Sequence, residues 1–184
     1  QKSGRTKDGN DQTHSGLIKM LDLSGQGNIQ DNFKELNIIP LVLSYEFEPC
    51  DNLKAEELVS LDAGISYQKD DKMAMIRGIR ENKGRVHMTF GKPISNELDQ
   101  FSHINNRNEW VRNFIELLNN RIHQMYKIWP TNYIAHDLLH ESDTYSSKYS
   151  KAEKDHFEIY IRQRMKGSIS HPRKLYRKML SIYA

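Results

Sequence analysis

The run "NIIPLVLSYEFEP", residues 37–49, constrains the fold more than any other stretch. Its first half is continuously apolar, the pattern of a strand covered on both faces. A strand is expected over roughly Ile38 to Phe47, with Pro40 near its start, where a missing N–H is tolerated. A second strand is expected in "GRVHMTFGKPI", where Val86, Met88 and Phe90 alternate with Arg85, His87 and Thr89. Gly91 and Pro93 close it. From about Asn105 the period becomes helical, with Val111, Phe114, Ile115, Leu118, Ile122 and Met125 on one face. Pro130 is expected to stop that helix, and Thr131 or Asn132 to cap the next. Ser150 and Glu153 form a capping-box pattern ahead of "HFEIYIRQRM". Pro172 suits the first turn of a last helix. Earlier, "SGLIKMLDL" suggests a turn or two of helix broken by "SGQGN". "CDNLKAEELVSLDAG" fits a helix or an irregular segment, and "KMAMIRGIRENKG" fits either a helix or a strand. The first half therefore reads as α/β and the second as helical.

Size and composition narrow the choices. A chain of 184 residues makes one domain or one and a half. Because the chain begins at Gln1 rather than Met, it is expected to be a piece of a longer protein. No run of apolar residues is long enough to cross a bilayer, and no signal peptide is visible. A single cysteine, Cys50, excludes an internal disulfide framework and any CxxC motif, and fits a reducing compartment. The net charge of +3 does not argue for nucleic acid. Its distribution is uneven, because no acidic residue follows Glu158 while Arg162, Arg164, Lys166, Arg173, Lys174, Arg177 and Lys178 do.

The opening "QKSGRTKDGN" concentrates a different chemistry. Gly4 lets backbone approach a ligand closely. Arg5 offers a planar fork of donors that matches phosphate oxygens two at a time. Thr6 and Lys7 add donors. The set makes a phosphate cradle, and read as chemistry alone it is equally a solvated basic loop.

Three stretches in order resemble the glycerol-phosphate and lysophospholipid acyltransferase family of phospholipid synthesis. "KSGRTKDGN" resembles that family's Glu-Gly-Gly-Arg-Ser-Arg-Thr-Gly-Lys type motif, with Thr6 and Lys7 as mild replacements and the glutamate missing. Pro40 falls on the proline of the family's next strand, and Phe90, Gly91, Lys92, Pro93 and Ile94 on its Phe-Gly-x-Pro-Ile. The family's His-x-x-x-x-Asp motif has no counterpart, since no histidine in the sequence has an aspartate five residues later.

The resemblance implies an α/β fold. It would be the C-terminal part of an acyltransferase-type sheet with packed helices over residues 1–100, followed by a helical extension over 101–184 with a basic C-terminus. It implies transfer of a fatty acyl group from acyl-CoA or acyl carrier protein to a hydroxyl of a glycerol-phosphate or lysophospholipid acceptor. No metal or other cofactor is implied. Gly4, Arg5, Thr6, Lys7 and Pro40 would supply the acceptor site, and the catalytic base would not be in this sequence. The implied partners are a lipid acceptor, an acyl thioester, a membrane surface and acyl carrier protein, with no nucleic acid. The implied location is the cytoplasm, peripherally on the inner face of the membrane.

Other features carry their own alternatives. His136 and His140 lie one helical turn apart, a spacing that suits zinc, but two histidines make half a site and ordinary packing is the simpler reading. Cys50 as a nucleophile would need a partner histidine. The last helix places Leu175, Met179 and Ile182 on one face, with Arg173, Lys174, Arg177 and Lys178 elsewhere. Such a helix either rests on anionic headgroups or docks on the domain with its charges in water. A non-catalytic, membrane-associated lipid- or anion-binding module is thus the alternative to an enzyme. A basic helical nucleic-acid binder over residues 150–184 finds no recognisable motif.

Overall fold

The computed structural model describes residues 12–67, 70–168 and 171–184. The protein is mixed α/β and mostly helical. Its helices are α1 (Ser15–Asp22), α2 (Ile29–Leu36), α3 (Asp51–Asp62), α4 (Asp71–Arg80), α5 (Arg107–Met125), α6 (Pro130–His140), α7 (Lys151–Arg164) and α8 (Pro172–Tyr183). A 3₁₀ helix spans Ile94–Phe101. Strands β1 (Leu41–Tyr45) and β2 (Val86–Phe90) pair antiparallel, and among the described residues they make the whole sheet. The chain divides into two compact units that alternate in sequence. One holds residues 12–44 and His87–Lys127, the other Tyr45–Val86 and Ile128–Ala184.

The first unit is built on aromatic packing. Trp110 and Phe114, one turn apart on α5, stack with ring centroids 5.2 Å apart, and Phe33 of α2 meets Phe114 edge-on at 4.8 Å. Ile18, Ile94, Leu98, Phe101, Val111 and Leu118 complete this core. Of the spacing read along α5, Val111, Phe114 and Leu118 are buried, and Ile115, Ile122 and Met125 are half-buried. Asn106 caps α5 by accepting from the backbone of Asn108 and Glu109. The buried Asp22 accepts from Arg107 at 2.6 Å and from Asn32 at 2.7 Å, tying α1 to α2 and α5.

The second unit surrounds α8. Leu175, Met179, Leu180 and Tyr183 are buried with Ile134, Ala135, Phe157 and Ile161 of α6 and α7 and with Ala55 of α3. Pro172 opens α8 at its first helical position. Ser150 and Glu153 form the expected capping box on α7, with the Ser150 N–H donating to Glu153 at 2.7 Å.

Two local expectations are corrected. Pro130 does not stop a helix; α5 has ended at Met125, and Pro130 is the first residue of α6. The cap there is Trp129, whose N–H donates to Asn132 Oδ1 at 2.7 Å, while the Thr131 hydroxyl donates to the Glu46 carbonyl at 2.9 Å. β1 is also not covered on both faces. Val42 and Ser44 are buried, and Leu41 and Leu43 are exposed. Their neighbours across the ladder are exposed too, with Phe90 at 69%.

Candidate functional site

Gly4, Arg5, Thr6 and Lys7 lie outside the described residues. Pro40 is described and buried, and the strand pairing brings it against the Phe90–Ile94 stretch. The Gly91 N–H donates to the Pro40 carbonyl at 2.8 Å, and the Ile94 N–H donates to the Ile38 carbonyl at 2.9 Å. Proline cannot donate to a ladder, so the pairing here runs through its carbonyl. The space opposite it is tight. A Cβ on Gly91 would sit 3.3 Å from Pro40 Cδ and 3.0 Å from Met125 Sδ. The buried side of β1 is held at Ser44, whose Oγ accepts the Lys127 N–H at 3.0 Å.

The second unit carries three polar centres. In the first, Arg85 grips Glu46 through both ends of its fork, at 3.1 Å and 2.8 Å, and lies 4.8 Å above the Trp129 ring. The Arg85 side-chain hydrogen bonds hold the Glu46 carboxyl below its ordinary range, against the effect of burial.

In the second, the fully buried Asp51 carboxylate accepts from the Tyr160 and Tyr183 hydroxyls, each at 2.8 Å, and from Arg164 Nε at 2.8 Å. Arg164 also donates to the Pro49 carbonyl and to Glu81. Burial, with the Asp51 charge, pushes both phenols up. Every donor faces an acceptor, so this centre is a closed structural knot.

In the third, buried Asp137 accepts from the Tyr149 hydroxyl at 2.9 Å, the Tyr145 N–H at 3.0 Å and the Ser142 hydroxyl at 3.0 Å. Burial works to raise this carboxyl, and the hydrogen bonds outweigh it and hold it low. Tyr149 is pushed up to about 12 by burial and by its bond to Asp137.

The histidine pair sits beside this third centre. His136 and His140 have ring centroids 4.5 Å apart. His136 Nδ1 is 3.6 Å from Asp137 Oδ1, too long for a hydrogen bond. No group of three or more metal-ligating side chains occurs among the described residues. Cys50 is buried, and its thiol donates to the Ala74 carbonyl at 3.3 Å, a packing contact.

Sequence reading missed the Asp51 and Asp137 centres. A polar residue that opens or lines a helix carries no sign of partners far along the chain.

The chain matches no family model, and no curated protein or solved structure matches it.

Proposed function

We propose that the chain is the acceptor-holding part of an acyltransferase that moves a fatty acyl group from acyl-CoA or acyl carrier protein to a hydroxyl of a glycerol-phosphate or lysophospholipid. On this reading β1 and β2 belong to an acyltransferase-type sheet. The supporting observation is the pairing of Pro40 with Gly91, which joins two of the three stretches that carry the resemblance. Gly4, Arg5, Thr6 and Lys7 would hold the acceptor phosphate, Arg5 through its fork. Fixing the phosphate fixes the hydroxyl, and positioning of this kind supplies much of the rate in acyl transfer. The alkoxide oxygen then attacks the thioester carbonyl, the C–S bond breaks, and the thiol leaves. The base that takes the hydroxyl proton is not assigned to any residue of this sequence. The chain by itself is therefore not expected to consume thioester. With lipid substrates, it would work in the cytoplasm against the inner face of the membrane.

Calorimetric titration with glycerol 3-phosphate tests the site, with glycerol and inorganic phosphate as controls. A charge-assisted bond to phosphate is worth about 1.5–3 kcal/mol, so Arg5→Ala should weaken binding about tenfold to a hundredfold. Arg5→Lys should restore part, because it keeps the charge and loses the fork. Equal affinity in wild type and Arg5→Ala would remove the acceptor site from this loop and the function with it.

A further inference from the structure

The C-terminal end of α6 gathers the parts of a metal site. His136 and His140 lie one turn apart, with ring centroids separated by 4.5 Å and ring planes tilted by 44°. The two nitrogens of His136 have different surroundings. Nδ1 is buried without a hydrogen-bond partner, and Asp137 Oδ1 lies 3.6 Å from it. The side chain as a whole is 34% exposed, so Nε2 is the nitrogen open to a ligand. His140 is exposed. The Tyr145 ring meets His136 in a T-shaped contact at 4.9 Å, and the Tyr145 N–H is itself bonded to Asp137. One carboxylate thus stands behind the His136 imidazole and also fixes the ring beside it. A histidine that binds a metal through one nitrogen donates its other N–H to a carboxylate, a carbonyl or water. Asp137 offers such an acceptor, already fixed by Tyr149, Tyr145 and Ser142, and a small ring rotation closes the remaining gap.

The local field favours a cation. His140 is the last residue of α6, at the negative end of the helix dipole. Between residues 136 and 150 the sequence sets Asp137, Glu141 and Asp143 against Lys148 alone. The ring separation also selects a geometry. Nitrogen–metal bonds of about 2.0–2.1 Å put an ion about 3.2 Å from each imidazole centroid. Centroids 4.5 Å apart then subtend about 90° at the ion, the cis angle of a tetragonal or octahedral site. The tetrahedral angle that zinc prefers would need about 5.2 Å. Copper(II) and nickel(II) take nitrogen ligands in the tetragonal arrangement.

We propose that His136 and His140 chelate one divalent cation of tetragonal preference, copper(II) above nickel(II), through Nε2 of each ring. Water fills the remaining positions, and Asp137 accepts the Nδ1–H of His136. Two protein ligands suffice for such a chelate, and neither an acyl acceptor nor the residues 4–7 take part, so the site stands apart from the acyltransferase reading.

Calorimetric titration of the untagged whole chain with copper, nickel and zinc chlorides tests it. One ion should bind per chain, copper most tightly and nickel ahead of zinc. His136→Gln and His140→Gln each remove one arm of the chelate and should weaken copper binding about tenfold to a hundredfold. His103→Gln, exposed on a different part of the chain, should leave it unchanged. His140 is exposed and His136 partly so, and circular dichroism checks that the variants fold. Asp137→Asn removes the charge behind His136 and should weaken copper about tenfold, while the visible band of copper bound to two imidazoles persists. In proton spectra, substoichiometric nickel should broaden the ring signals of His136 and His140 ahead of the rest of the eight histidines. The proposal is overturned if either of the two histidine variants binds copper as the wild type does, or if zinc binds more tightly than nickel. It is overturned equally if all eight histidines broaden together, which would mean an adventitious ion only.

Discussion

A buried carboxylate can serve as a fastener when every lone pair is occupied, and Asp51 meets that condition. It sits at the first position of α3, where the helix N-terminus favours a negative charge. Its partners Tyr160, Arg164 and Tyr183 lie 109, 113 and 132 residues away in sequence. No local pattern foretells such partners, which is why the residue reads as an ordinary helix start. Removing one side of a buried ion pair costs about 3–5 kcal/mol, so Asp51→Ala should lower the urea midpoint by that equivalent. Tyr183→Phe should cost about 1–2 kcal/mol, because the hydroxyl also accepts the Glu48 N–H at 3.0 Å. An Asp51→Ala protein as stable as wild type would show that the knot contributes nothing net. The Asp137 centre gives a pH prediction. A carboxyl held below its ordinary value contributes stability that is present above that value, 3.8, and is lost as pH falls through the folded-state pKa. Tyr149, pushed up, contributes in the opposite sense: its share is present below pH 10 and lost as pH rises towards about 12. Urea midpoints between pH 5 and 2 should therefore fall more steeply for wild type than for Asp137→Asn. Parallel curves would detach Asp137 from acid stability.

At the scale of elements, what the sequence discloses is local. α5 follows its apolar spacing, α7 its capping box, and α8 its leading proline, because each signal acts within a turn or two. β1 misleads for a physical reason: a continuous apolar run implies cover on both faces, and only Val42 and Ser44 find it here. α4 stays ambiguous in sequence because its buried residue is Ala74 and its apolar residues face out, the reverse of the usual pattern. α8 packs on its own unit. Its apolar face is consumed by the second core, leaving Arg173, Lys174 and Arg177 exposed. Of the other basic residues after Glu158, Arg162 pairs with Glu158, Arg164 with Asp51, and Lys178 with Asp62. The candidate site was legible only as a motif, and its four leading residues lie outside the described ones. Turns give a sharper test. Gly84, at φ +62°, packs where a Cβ would fall 2.6 Å from Phe47 and 2.7 Å from the Glu46 carboxylate that Arg85 holds. Gly64, at φ +69°, faces open space. Gly64→Ala should cost about 1 kcal/mol from backbone strain alone. Gly84→Ala adds a steric clash and should cost about 2–4 kcal/mol. Similar midpoints in thermal unfolding would mean that the turn relaxes and the clash is not felt.

The chain as a whole interleaves its two compact units, and this decides what can fold alone. The change of character near residue 100 suggests a cut between an α/β half and a helical half. Each core draws from both sides of that cut. In the first, Ile18, Phe33, Ile94 and Leu98 precede residue 100, while Phe101, Trp110, Val111, Phe114 and Leu118 follow it. In the second, Phe47 and Ala55 precede it, and eight buried residues from Ile134 to Tyr183 follow. Cutting there strips the first core of its stacked Trp110 and Phe114, and the second of the Ala55 surface against which α8 packs. The loss of one buried aromatic alone costs about 3–5 kcal/mol, and the whole stability of a domain is about 5–15 kcal/mol. Residues 1–100 expressed alone should therefore give a poorly dispersed amide spectrum and no cooperative thermal transition, whereas residues 1–184 give both dispersion and cooperativity. Residues 101–184 retain more of one core and should keep helical circular dichroism, yet lack Asp51, so Tyr160, Arg164 and Tyr183 lose their shared acceptor. Mixing the two pieces should restore part of the native spectrum if the long-range contacts are strong enough to offset the association entropy. A cooperative, fully dispersed 1–100 fragment would show that the sequence boundary is a folding boundary, and that the interleaved cores do not govern stability.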